Sequence, residues 1–202
     1  LCDERRANPR DDLITALVES ETEHGKLTKQ ELTANIQLLF AAGHETTVNL
    51  MGNALLALYR NPEQLALLKN EPALMPQAVE EFLRYDSSVQ LTGRGALTDM
   101  EFAGMPVAKG TQIIALLAAA NRDPAVFDRP DELDITREGI RPLSFGGGVH
   151  YCLGAQLARL EAAEAMNVLF RRLPGLTLDD IENPVWKRTI TLRGVVALPA
   201  GW

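Results

Sequence analysis

The 202-residue chain has only two cysteines, three histidines and few aromatic residues, 5% in all. Each scarcity excludes something. Cys2 near the start and Cys152 deep in the chain cannot build a disulfide framework, and they fit a reducing compartment. Three histidines and one interior cysteine are too few for a closed tetrahedral zinc site at the usual ligand spacing. With so few aromatics, aliphatic packing must carry the core. Basic residues are outnumbered, 20 Lys and Arg against 27 Asp and Glu, and the formal charge of −7 argues against a nucleic-acid binder. The longest unbroken apolar run, Ile113 to Ala120, falls far short of the roughly 20 residues a membrane-spanning helix requires. The opening Leu1-Cys2-Asp3-Glu4-Arg5-Arg6 has no initiator Met and no apolar stretch behind its charges, so it reads as a fragment without a signal peptide.

What is present describes an ordinary globular chain, 46% hydrophobic and 23% charged, with enough length for one sizeable core. Asp11 to Glu19 suits a short amphipathic helix. Thr28-Lys29-Gln30-Glu31 reads as a capping box opening a helix that runs to about Tyr59. That helix is apolar on nearly every face, which places it in an interior. At about 1.5 Å per residue it reaches on the order of 45 Å. Asn61-Pro62 caps and opens a shorter helix ending before Pro72, and Pro76 to Tyr85 forms another. Short extended segments are expected from Thr98 to Thr111 with a turn at Ala103-Gly104, then little regular structure from Asp123 to Gly148. A last long helix covers Leu153 to Leu173, and Thr189 to Leu198 reads as a closing β-hairpin.

Three constellations carry chemistry. Ala42-Gly43-His44-Glu45-Thr46-Thr47 is a polar island in the most apolar helix, where unpaired buried groups cost about 1 to 3 kcal/mol each. Gly43 costs about 1 kcal/mol more against Ala, which suggests that something packs closely on it. The plainer reading is a hydroxyl bonding back to its own helix and a Glu at a solvent gap. Glu81-Phe82-Leu83-Arg84 puts a carboxylate and a guanidinium on one helix face, most often a weak surface pair. Phe145-Gly146-Gly147-Gly148-Val149-His150-Tyr151-Cys152-Leu153-Gly154 runs into a helix, and its glycines let backbone N–H groups approach a ligand. No Gly-Lys-Ser/Thr follows, and Tyr151 breaks the dinucleotide glycine spacing, so it is not a phosphate loop. A cysteine at a helix N-terminus favours the thiolate. On residue chemistry a thiolate metal ligand ranks first, a buried structural cysteine second, and a Cys-His hydrolase using His150 third.

In this order and combination the motifs resemble the cytochrome P450 superfamily of haem-thiolate monooxygenases. The resemblance covers essentially the whole chain as a single partial domain, residues 1–202, the C-terminal half of a soluble bacterial member. It implies a mainly α fold with small β-sheets, a haem b (iron protoporphyrin IX) cofactor, and Cys152 as axial thiolate. Ala42, Gly43, Thr46, Ser144, Phe145, Gly146, Gly154 and Ala158 would lie against the haem, and Arg94 and His150 would neutralise its propionates. Glu45 and Thr46 resemble the acid-alcohol pair that delivers protons to dioxygen. Glu81, Arg84 and Arg137 resemble a buried structural network, and Val89, Leu91 and Leu192 correspond to substrate-pocket segments. The implied reaction is insertion of one oxygen atom from O2 into a small organic substrate, by hydroxylation or epoxidation. Electrons would come from a ferredoxin or flavodoxin, docked near Arg159, Arg171 and Arg172, in the cytoplasm and without membrane or nucleic acid. The N-terminal half of the same fold would be a further partner. The alternative is a haem-binding or structural fragment without autonomous turnover.

Overall fold

A computed structural model describes residues 1–24 and 27–202, which divide into two compact units, Leu1–Glu45 and Thr46–Trp202. In the first unit, α1 (Cys2–Ala7) packs on α2 (Leu13–His24). Asp12 starts α2 by accepting the Thr15 N–H at 2.8 Å, and its other oxygen takes Arg5 Nε at 2.6 Å. The helix α3 (Lys29–Arg60) opens with the expected reciprocal box. Glu31 N–H donates to Thr28 Oγ1 at 3.2 Å, and Thr28 N–H donates to Glu31 Oε2 at 2.7 Å. The all-round apolar character of this helix is only partly covered: Leu32 is buried, whereas Leu38 and Phe40 are exposed, the latter 83%.

The second unit takes the remainder of α3 and packs it with α4 (Pro62–Asn70), α5 (Met75–Tyr85) and α7 (Ala155–Arg172). Leu50, Ala54, Leu58, Leu68, Val79, Phe82, Ile135 and Met166 form its core, aliphatic as the composition demands. Asn61 is the N-cap residue of α4, its carbonyl accepting the Leu65 N–H at 3.1 Å, but its side chain makes no cap hydrogen bond. Its Nδ2 donates back to Ala57 O at 2.8 Å, closing the end of α3, because Pro62 already supplies a first residue with no N–H to satisfy.

Three two-stranded antiparallel sheets complete the unit. β1 (Thr92–Gly95) pairs with β4 (Gln112–Ala115), with Thr92 opposite Ala115. Inside that excursion β2 (Met100–Phe102) and β3 (Met105–Val107) form the expected hairpin, whose turn residues Ala103 and Gly104 have φ of 50 and 76°. The short α6 (Leu117–Ala120) follows β4. Thr189 to Leu198 is not a hairpin. Leu192 bridges to Val89 and Val195 to Trp186, and β5 (Thr177–Leu178) pairs with β6 (Ala200–Gly201). A hydrogen bond from Asn53 Nδ2 to Arg193 O at 3.1 Å ties this segment to α3, and the local antiparallel pairing that forms is shifted toward the preceding residues, with the Lys187 N–H on Gly194 O at 2.9 Å and the Val196 N–H on Val185 O at 2.8 Å.

Candidate functional site

The second half of the chain converges on the loop before α7. A single helical turn, Leu143–Phe145, leads into Gly146, whose φ of 68° and ψ of −151° only glycine adopts without strain. After a second short turn, Gly148–His150, the chain comes back, and the Cys152 N–H donates to Phe145 O at 3.0 Å. The cysteine carbonyl then receives the Ala155 N–H at 3.3 Å as α7 begins. Both backbone groups of Cys152 are therefore held, and its thiol is free and exposed. Val149 is 97% and Leu153 87% exposed, so the segment that carries the cysteine also carries large uncovered apolar side chains. His150 and Arg94 are exposed as well, and Arg94 Nη1 donates to Thr92 Oγ1 at 2.9 Å. Of the other residues expected near a cofactor, Ser144 is buried, Phe145, Gly146 and Ala158 are half-buried, and Gly154 is exposed.

The loop entrance is fixed to α5 by a residue that spacing did not reveal. Asn121 is fully buried. Its Nδ2 donates to Ser144 Oγ at 2.9 Å and its Oδ1 accepts the Leu143 N–H at 2.7 Å, while the Ser144 hydroxyl donates to Leu83 O at 2.5 Å. An isolated Asn after an apolar run carries no periodic signal, so only the fold shows this role.

Glu81 and Arg84 are not a surface pair, since both side chains are 0% exposed. Arg84 Nε and Nη2 meet Glu81 at 2.7 and 2.8 Å, and the remaining donors reach Asn121 O, Pro130 O and Glu132 O at 3.1, 2.7 and 3.0 Å. Glu81 Oε1 also accepts the Asp134 N–H at 2.9 Å, and Arg137 Nε stands 3.4 Å from Oε2. Arg159 does not present its charge with Arg171 and Arg172. It forks onto Glu80 of α5, whereas the other two are exposed.

On α3, Ala42 and Gly43 are exposed, Glu45 and Thr46 half-buried and Thr47 buried. Beyond its own helix backbone and chain neighbours, no atom of the described residues lies within 4 Å of a Cβ built on Gly43, so their packing does not require a glycine there. Val89 and Leu192 face each other in an antiparallel bridge, with Leu91 half-buried two residues on.

The cytochrome P450 family model matches residues 2–185. The chain belongs to the cytochrome P450 family. It is 48% identical over 182 residues to the biotin biosynthesis cytochrome P450 of Bacillus subtilis (strain 168), covering 90% of this chain and 46% of that protein. Among solved structures it resembles the myxobacterial cytochrome P450 CYP267B1 in complex with myristic acid (TM-score 0.94, 45% identity, 98% of this chain and 50% of that one). It also resembles P450BioI in complex with an acyl carrier protein ligated to hexadec-9Z-enoic acid (TM-score 0.92, 43% identity, 100% and 51%). The chain thus spans about half the length of the P450 relatives it matches, with the expected mainly helical fold and small sheets. No described helix is long and apolar enough to cross a membrane.

P450 family members bind haem b, and the donor set here fits that group. Among the described residues no three His, Cys, Asp or Glu side chains gather to hold a metal ion. One exposed thiol with no second protein ligand suits an iron that brings its own macrocyclic ligands, and the uncovered Val149 and Leu153 suit the apolar face of a porphyrin.

Proposed function

We propose that this chain is the haem-thiolate half of a bacterial P450 monooxygenase, which inserts one oxygen atom from O2 into a small organic substrate. The observation that carries the reading is Cys152: a free, exposed thiol whose backbone N–H and C=O are both held by a glycine-opened loop. Haem held by a cysteinate supplies reductive activation of dioxygen, so that R–H, O2, two electrons and two protons give R–OH and water. The chain's own residues have separate tasks. Cys152 supplies the thiolate, and the fixed loop backbone sets where its sulfur sits. His150 and Arg94 supply positive charge for the propionates. Thr46 hands a proton on from its hydroxyl, with Glu45 as the acid behind it. Ala42, Gly43, Ser144, Phe145, Gly146, Gly154 and Ala158 shape the faces against the macrocycle, and Val89, Leu91 and Leu192 give the substrate an apolar wall. Glu81, Arg84 and Arg137 hold the unit together and take no part in the chemistry.

Two electrons arrive from a ferredoxin or flavodoxin, and Arg171 and Arg172 at the end of α7 are the cations left for docking. The reading places the protein in the cytoplasm. A second reading, a haem-binding fragment without turnover of its own, is favoured by one observation. Leu153, Leu157 and Leu160 leave an apolar stripe exposed on the approach to α7 and along it, which the other half of the P450 fold would cover.

The test is the reduced, carbon monoxide-treated absorbance spectrum of the haem-supplied chain beside Cys152→Ser. A strongly red-shifted Soret band that the mutation abolishes supports thiolate ligation. Haem lost on desalting, or a band indifferent to the mutation, refutes it, and substrate turnover with reduced ferredoxin then separates the two readings where the band is present.

A further inference from the structure

Arg159 lies one turn into α7 and is only a quarter exposed. Its Nε and Nη2 fork onto the two oxygens of Glu80, the residue before Glu81 on α5. A bidentate pair of this kind fixes the plane of the guanidinium. The guanidinium sits over the Phe145 ring, with Cζ 4.6 Å from its centroid. The remaining nitrogen, Nη1, stands 3.3 Å from both Tyr151 Oη and Ala155 O. The Phe145 and Tyr151 rings meet edge-on, 6.3 Å apart. These contacts share one target. Phe145 provides the carbonyl that holds the Cys152 N–H, and Tyr151 is covalently joined to Cys152. Ala155 is the residue whose N–H holds the Cys152 carbonyl.

We infer that Arg159 is a positioning residue for Cys152, its guanidinium clamping Phe145, Tyr151 and the first turn of α7 to Glu80 so that the sulfur is presented at one fixed place. The inference rests on the ligand role proposed for Cys152. It reassigns a cation that sequence position alone suggested for a redox partner. Lysine at this position would keep the charge against Glu80 but lose the fork that holds the cation over Phe145.

Two measurements on the 202-residue chain test the clamp, using Arg159→Ala, Arg159→Lys and Glu80→Gln. Without haem, amide hydrogen exchange is followed by mass spectrometry in a peptide spanning residues 145–152 and in peptides from α5 and the core of α7. The expected result is exchange roughly tenfold faster at Cys152 in Arg159→Ala, the weight of one charge-assisted hydrogen bond, with the core peptides unchanged. Arg159→Lys and Glu80→Gln fall between that variant and wild type. With haem, the carbon monoxide spectrum of Arg159→Ala shows part of the red-shifted band replaced by an unshifted one. Unchanged loop exchange together with an unchanged band ratio overturns the inference. So does equal acceleration of loop and core, which marks a merely structural pair. If the wild-type chain itself gives no red-shifted band, the haem-thiolate reading fails, and the exchange experiment still decides whether Arg159 clamps the loop.

Discussion

Replacing Arg84 by alanine should unfold much of the stability of the larger unit, and the structure sets the size of the effect. All five N–H donors of its guanidinium are used, two on Glu81 and three on the backbone carbonyls of Asn121, Pro130 and Glu132. Truncation leaves the Glu81 carboxylate with no exposure to solvent and with Arg137, 3.4 Å away and lacking good hydrogen-bond geometry, as its remaining cation. Removing one partner of a buried ion pair costs about 3 to 5 kcal/mol, because the other charge is stranded. The carbonyls of Pro130 and Glu132 are only part-buried and recover water, so they add little. With a urea slope of about 2 kcal/mol per molar, a loss near 4 kcal/mol moves the midpoint down by about 2 M, read by far-ultraviolet circular dichroism. Arg84→Lys restores the charge but not the fan of donors and recovers only part of the loss. Glu81→Ala costs a similar amount, and the double variant costs clearly less than the sum, since both charges leave together. A midpoint shift below about 0.5 M for Arg84→Ala, or strict additivity in the double variant, refutes the reasoning.

Three further outcomes follow from the same geometry. A Cβ on Gly194 would lie within 2.3 Å of Asn49 Oδ1 and Cγ, the side chain that receives Lys187 Nζ at 2.8 Å. Gly194→Ala therefore lowers stability by about 1 to 3 kcal/mol in thermal unfolding, and Asn49→Ala in the same chain relieves only part of it, because the Asn49 Cβ that remains is itself 2.9 Å from the new methyl. Gly146→Ala, at φ of 68° and ψ of −151°, costs about 1 to 3 kcal/mol and weakens haem retention on desalting more than Gly175→Ala, where no such strain exists. Asp12 is pulled from 3.8 down to about 2 by the Thr15 N–H and then by Arg5, so the folded first unit favours its ionised form. That contribution is intact above the ordinary carboxylate value and disappears as pH falls toward 2. Asp12→Asn should lower the helicity of α1 and α2 near pH 7, where the ionised group contributes fully, and flatten its pH dependence in that window.

Local chemistry explains what was legible. The Thr28 box, the Ala103-Gly104 turn and the Pro62 and Pro76 helix starts depend on neighbours within four residues, and each stands where the sequence places it. Glu81 and Arg84 were legible as a pair because three residues apart is one helix face, but spacing alone suggested a surface pair and only the family resemblance implied burial, since Asp134, Pro130 and Glu132 come from far along the chain. The Thr189 to Leu198 hairpin is displaced: residues 194–196 pair with 185–187, just before the segment, and Leu192 pairs with Val89. Alternating residues there fit a strand, while the partners chosen were Val89 and Trp186, a matter of tertiary competition. Asn61 stands at the cap of α4 as expected but turns its side chain back to the end of α3, since an Asn between two helices has both ends within reach. Asn121 left no pattern at all, and Arg159 was legible only as a cation on the last helix, read as a docking residue from its position.

The two carboxylates of α5 show why a motif reveals only half of such an arrangement. Successive helix positions diverge by about 100°, so Glu80 and Glu81 cannot serve one partner. Glu81 turns inward to Arg84, Arg137 and the Asp134 N–H, and its loss is felt as lost folding. Glu80 turns to Arg159 on α7, seventy-nine residues away, and its loss is felt at the Cys152 loop. Between them Leu83 lends its carbonyl to Ser144 at the entrance of that same loop. One eleven-residue helix therefore holds the fold with one carboxylate and aims the cysteine with the next. The two functions separate experimentally: substitutions at Glu81 move the urea midpoint, whereas substitutions at Glu80 move exchange at Cys152 with the midpoint nearly fixed.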